Sequence, residues 1–244
     1  MRVGGLLIGL VSAPAAAQTL HYEGGAGLAT GTYILTERTS SWSLSTGLAL
    51  GAGPVTFRLA VPVFYQSTTL VHRSATLVAP TAGGFRWAAG DPMVSVTFTG
   101  PHAGRFGVLL GMTAKVPVRD TASLGTGAWD VGGSLSASVI LGRRALVSAD
   151  VAYWHLGDPP GLGLTDPVVF GGTASYLARS GWGLSAGVAG STPTIAGFAA
   201  AVSATASVLR PGGRGSLGLM ATVGLTETAP DLTVALTWRI GVLK

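Results

Sequence analysis

The sequence predicts an all-β fold, a transmembrane antiparallel up-and-down β-barrel of about 12 strands. Three observations lead there. First, charged residues make up only 10% of the chain, against roughly 25% in an average soluble domain. Second, mean hydropathy is +0.51, yet after the first residues no run reaches the roughly 18 consecutive apolar residues that a spanning helix needs. Third, the apolar residues alternate with small or polar ones at period two, in segments of about 10 residues punctuated by turn residues. Hydrocarbon cannot satisfy an open backbone, so only helices and closed barrels cross it, and without the helices the barrel is left.

The alternation is clearest after Phe106. Phe106, Val108, Leu110, Met112, Ala114, Val116 and Val118 fall on one face. Gly107, Gly111, Thr113, Lys115 and Pro117 fall on the other, with Leu109 the exception. A strand separates those sets automatically and a helix does not. The same pattern sets Trp42, Leu44, Leu48 and Leu50 against Ser43, Ser45, Gly47 and Gly51. It recurs in Val55–Gln66, Trp129–Leu141, Ser216–Thr226 and Leu232–Ile240. The expected strands cover about 22–37, 41–51, 55–69, 91–100, 105–118, 128–141, 145–156, 167–179, 182–192, 196–209, 214–227 and 231–242, each bound uncertain by 2–4 residues. Ten strands is the rival count, because 22–37 and 182–192 alternate weakly. Turns at Gly51–Pro54, Gly100–Gly104, Gly142–Arg144, Arg179–Gly181 and Pro211–Gly215 are short and carry Gly or Pro. Several of the intervening connections are longer, which is the asymmetry of a membrane barrel. Trp42, Tyr65, Trp129, Tyr153, Trp182 and Trp238 fall near strand ends on the apolar face, where an interfacial girdle belongs.

The N-terminus has the order of an export signal: Arg2, a short apolar run from Val3 to Val11, then Ala15-Ala16-Ala17 as a small-residue cleavage site. Residues 1–17 are therefore expected to be a cleaved signal peptide, with 18–244 the barrel in the outer membrane. The absence of cysteine excludes disulfides and thiolate metal sites. The net charge of +5 sits mostly at turns without aromatic interleaving, which excludes a nucleic-acid groove.

Charges inside strands carry the functional information. In this register Arg58, Lys115, Asp130, Asp150 and Arg239 point into the barrel. Facing lipid each would cost roughly 2–4 kcal/mol at mid-depth. Facing a lumen they either pair to fill it or form a polar constriction. His72 and Ser74 share a strand face, as in the His-x-Ser pair of outer-membrane phospholipase A, but no clear Asn partner accompanies them. His155 and Asp158 flank a loop, yet a metal site needs three or four convergent ligands. Gly24-Gly25-Ala26-Gly27 lacks the lysine and helix of a phosphate loop. No catalytic residue, metal or cofactor is expected.

Lys115-Val116-Pro117-Val118-Arg119-Asp120, followed by Leu124-Gly125-Thr126-Gly127-Ala128-Trp129-Asp130, resembles a recurrent element of the phenol-degradation meta-pathway outer-membrane proteins. Gly90-Asp91-Pro92 and Val151-Ala152-Tyr153 look like the same family, while Val118-Arg119 stands where a Thr-Gly pair is usual. The resemblance spans roughly the middle of the chain and makes Asp120, Gly125, Thr126 and Gly127 its loop motif. It implies a barrel and uptake of aromatic or small hydrophobic compounds, with no catalysis. Passive passage of small solutes is the expected function. A structural or adhesive barrel with a blocked lumen is the alternative, and a lipid hydrolase a remote one. The expected partners are outer-membrane lipid, the solute and the barrel assembly machinery, with oligomeric state left open.

Overall fold

The computed structural model describes residues 18–32, 38–66, 71–73, 76–78, 86–101, 103–117, 127–158 and 163–243. The strands are β1 (Gln18–Gly31), β2 (Thr39–Ala52), β3 (Val55–Gln66), β4 (Val71–Arg73), β5 (Thr76–Val78), β6 (Arg86–Ala89), β7 (Met93–Thr99) and β8 (Phe106–Lys115). They continue as β9 (Asp130–Leu141), β10 (Ala145–His155), β11 (Val168–Leu177), β12 (Gly183–Ser191), β13 (Ala201–Gly212), β14 (Gly215–Gly224) and β15 (Leu232–Leu243). Every pairing is antiparallel, β3 pairs past the β4–β5 hairpin with β6 and β7, and β1 pairs with both β2 and β15, which closes the ring. The short β4–β5 hairpin stands apart. β6 and β7 are one barrel strand interrupted at Gly90-Asp91-Pro92, since β3 pairs Val63 with Ala89 and Ala60 with Met93. The result is the closed 12-strand barrel the alternation predicts, and the count of ten falls away.

Every predicted strand is present. The largest shift is at the weakest one: β1 starts at Gln18 and ends at Gly31. Gly24, Gly25 and Gly27 dilute its alternation, but closure extends it, because β1 must pair along both β2 and β15. Following partners once around from Glu23 displaces the register by about 14 residues, a stagger that tilts 12 strands by roughly 40°. Each of the five tight turns contains a glycine at positive φ, a conformation costly for other residues: Gly53, Gly104, Gly142, Gly181 and Gly213. The opposite end carries the longer loops.

The packing is inverted relative to a soluble domain. The buried hydrophobic residues are Ala49, Leu156 and Ala229 alone among those described. Leu48, Phe57, Val96, Leu110, Met112, Leu135, Val188, Leu219 and Leu236 are exposed on the outer wall. A water-facing sheet with this outer surface would aggregate, so its solvent is hydrocarbon. Trp42, Trp87, Trp129 and Tyr153 ring the loop end of that surface, and Trp182, Tyr176 and Trp238 the turn end. Leu109, the break in the β8 pattern, faces inward beside Ser136.

This partition predicts that Leu135→Arg, on the outer wall near mid-height, destabilises the barrel by about 2–4 kcal/mol. Ser136→Arg, one residue on and facing inward, should cost less than about 1 kcal/mol, since a lumen charge stays hydrated. Urea unfolding in lipid vesicles measures both; equal costs would contradict the assigned faces.

Candidate functional site

The inner wall is small, hydroxylated and sparsely charged, and the charges gather in three places. At the turn end, Glu23 of β1 receives both Arg58 of β3 and Arg239 of β15. The Arg58 Nε lies 2.7 Å from Glu23 Oε2, and the Arg239 Nε–H donates to Glu23 Oε1 at 2.6 Å. Strand tilt explains the meeting of β1 and β3 across β2: the hydrogen-bonded partner path from Glu23 runs through Gly47 to Ala60, and at roughly one residue of axial offset per strand the same depth falls at Arg58. Gly47 at the intervening position leaves the path clear of side chain. Two guanidiniums share one carboxylate, and all three remain accessible.

The second group is at the loop end. The Lys115 ammonium lies 2.6 Å from Asp130 Oδ2 and 3.6 Å from Asp91 Oδ2. Their side chains are 6%, 8% and 3% exposed, so this cluster is closed off from bulk water. Asp130 also accepts the Gly157 backbone N–H at 3.1 Å. Four segments are thereby tied together: the β6–β7 break, the end of β8, the start of β9 and the exit of β10. Beside them Trp154 lies on the inner face over Gly132, where a Cβ would come within 2.6 Å of the indole.

The third is Asp150 on β10. No polar partner is found for its carboxylate among the described residues. It borders a cavity of about 270 Å³ against the wall, with Thr173, Ser185, Thr205 and Ser207. Gly171 across the ladder leaves room for it, since a Cβ there would sit 2.9 Å from Asp150 Oδ2. The hydroxyls form inward pairs, Ser185 with Ser207 at 2.6 Å and Thr205 with Thr222 at 2.8 Å. β10 is six strands from β1 in the ring, so Asp150 belongs to the wall opposite Glu23. Partners traced from Glu23 through β15 and onward reach β10 about eight residues nearer the turn end, and half a circuit of stagger recovers about seven of those. Asp150 and the arginine cluster therefore face each other at similar depth.

Arg58, Lys115, Asp130, Asp150 and Arg239 lie at ladder positions of the inner face. Arg58 and Arg239 come together through Glu23; Lys115 and Asp130 pair with each other; Asp150 lies on the far wall, without a polar partner among the described residues. Glu23, Asp91 and Trp154 are the members that sequence reasoning missed. In the loop motif Gly127 has φ +71, whereas Asp120, Gly125 and Thr126 lie outside the described residues, as do residues 1–17, Ser74 and the side chain of His72. His155 turns to Asp166 rather than Asp158. Asp166 accepts the His155 Nδ1–H at 3.0 Å, the Leu156 backbone N–H at 2.9 Å and the Tyr153 hydroxyl at 2.7 Å. Asp158 accepts the Leu164 N–H instead. Among the described residues no group of three potential metal ligands forms.

No protein-family model matches the chain, and no curated protein matches it in sequence. Solved structures do. The COG4313 outer membrane channel from Pseudomonas putida F1 superposes with TM-score 0.73 at 12% identity, covering 93% of this chain and 96% of that one. The chain has the fold of outer-membrane channels. The KdgM porin matches with TM-score 0.53 at 7% identity over 90% of this chain and 98% of its own. The NanC porin matches with TM-score 0.53 at 8% identity over 91% and 98%.

Two outcomes follow. Lys115→Met leaves two closely placed carboxylates without their cation in a closed-off site and should destabilise the barrel by about 3–5 kcal/mol, whereas Arg239→Gln, half exposed, should cost less than about 1 kcal/mol; similar losses in urea unfolding would contradict the difference. The His155, Leu156 and Tyr153 donors lower the Asp166 carboxyl to about 2. Its unfolded value is near 3.9, so the stabilisation is full above roughly pH 4 and lost as pH falls through about 2. A ¹³C carboxyl titration should find Asp166 ionised at pH 3; a midpoint near 4 would refute the three-donor arrangement.

Proposed function

We propose that this chain is an outer-membrane barrel for passive diffusion of small solutes. The observation that carries the reading is the partition of one wall into an apolar outside and a hydroxylated inside with opposed charges at similar depth. A barrel serving only as an anchor has no need of Asp150 facing Arg58 and Arg239 across its interior. In this reading the tight turns face the periplasm and the longer loops the cell exterior. Residues 1–17 act as the cleaved export signal, and the barrel assembly machinery inserts the folded product.

Arg58, Arg239 and Asp150 form the selective zone. Lys115 and Asp130 act differently: with Asp91 they hold the loop-end segments to the wall. For the solute, we favour small aromatic compounds bearing a hydroxyl or carboxylate. Trp154 offers a ring for stacking near the loop end, and the arginine wall offers donors for an anionic group. The resemblance in the 115–130 region points the same way. A barrel acting through its loops with a closed lumen is the competing reading, favoured by the same Asp91–Lys115–Asp130 tie.

Planar-bilayer recordings separate the two. Purified, folded protein should give discrete conductance steps, and Arg58→Glu with Arg239→Glu should move the reversal potential towards cation selectivity. Absence of any steps would favour the closed barrel. Steps with an unmoved reversal potential would remove these arginines from the conducting path.

A further inference from the structure

The two ends of the barrel differ in their carboxylates. The tight-turn end carries Arg105, Arg143, Arg144, Arg179, Arg210 and Arg214, all exposed, and its turns contain no Asp or Glu. Most carboxylates, including Asp91, Asp130, Asp158, Asp166, Glu227 and Asp231, belong to the loop end. At the loop end Arg38 is tied to Asp231, whereas the guanidiniums along the tight-turn edge of the apolar outer belt have no carboxylate in their turns.

Within that edge is a formed notch. On the outer face Gly212 pairs with Gly215, and Gly215 with Ile240. The neighbouring outward pair is Arg210 with Leu217, and Leu217 pairs with Trp238. The two glycines leave a depression of about 440 Å³. Its apolar side is Leu217, Trp238 and Ile240, and its polar side is Arg210 and Arg214, with Ser216 and Arg239 also bordering it. Gly215 is required by the backbone, since a Cβ would overlap the Arg239 carbonyl. At Gly212 a Cβ would meet nothing within 4 Å, so the space there is open. The Arg210 guanidinium carbon sits 5.2 Å from the Trp182 ring centroid, a cation–π contact that fixes it beside the belt. Neither Arg210 nor Arg214 has an acidic partner among the described residues.

We propose that this notch is a binding site for an anionic phospholipid, such as phosphatidylglycerol, of the leaflet at the tight-turn end. The acyl chain lies on Leu217, Trp238 and Ile240, and the phosphate is bridged by Arg210 and Arg214. Guanidiniums suit this role because they offer paired donors to phosphate oxygens. The apolar side selects a lipid over a free anion. The site rests on the membrane-barrel reading and is independent of whether the lumen conducts.

The test is native mass spectrometry of the folded barrel released from micelles doped with phosphatidylglycerol or phosphatidylcholine. Retention should favour phosphatidylglycerol, and Arg210→Gln with Arg214→Gln should reduce it about 30-fold, as expected for two cations at a lipid surface. Gly212→Leu keeps both charges but fills the notch, and should reduce retention comparably. Arg58→Gln, inside the lumen, should leave it unchanged. Circular dichroism and heat-shifted gel mobility confirm that each variant is folded. Equal retention of the two lipids, wild-type retention in the double variant or in Gly212→Leu, or full competition by millimolar inorganic phosphate would each overturn the proposal.

Discussion

The structure depends on one constraint: every backbone N–H and C=O within the membrane must be paired inside the protein. A sheet satisfies that only by closing, and closure needs β1 to bond both β2 and β15 along their lengths. Once the ring is closed, pleating assigns alternate side chains to opposite solvents. The near absence of a buried apolar core then ceases to be a defect. Hydrocarbon does outside the wall what core packing does inside a soluble domain, so the interior is released for polar residues. Closure also sets the stagger, and the stagger decides which distant residues share a depth. Glu23, Arg58 and Arg239 meet, and Asp150 faces them, as consequences of the same geometry.

Much of this was legible in the residues because period two is a strong signal when one solvent is hydrocarbon. Strands such as Phe106–Lys115 and Leu232–Leu243 tolerate almost no misplaced side chain, and their inward charges could be read off directly. Leu109 and the glycine-rich β1 are where the signal weakens. Position 109 faces a lumen that tolerates an apolar residue, and glycine carries no preference for either face. The partners of the inward charges were less visible. Glu23 sits in that weakly patterned strand, and its contact with Arg58 depends on tilt rather than on sequence spacing. Asp91 precedes Pro92 at a break in the ladder, where alternation says nothing about direction. His155 stands nearer Asp158 in sequence, but the geometry of the β10–β11 connection brings Asp166 to it instead.

The three charge groups differ in what their surroundings allow. Arg58 and Arg239 are nearly half exposed and Glu23 about a fifth, so water screens them. Lys115 between Asp91 and Asp130 is closed off, where a pair holds backbone segments in place and a lone charge would be costly. Asp150 has hydroxyl neighbours and, among the described residues, no paired cation. The interior thus grades from a closed-off cluster at the loop end to an accessible one nearer the turns.

Neighbouring side chains on one strand of this wall meet different solvents. The chain has no cysteine, so single cysteines can be placed at each position from 107 to 113 and spin-labelled in lipid vesicles. Labels at 108, 110 and 112 should relax with oxygen dissolved in the bilayer, and those at 107, 109, 111 and 113 with a water-soluble nickel chelate. Uniform accessibility along the strand, to either reagent, would contradict the two-solvent wall.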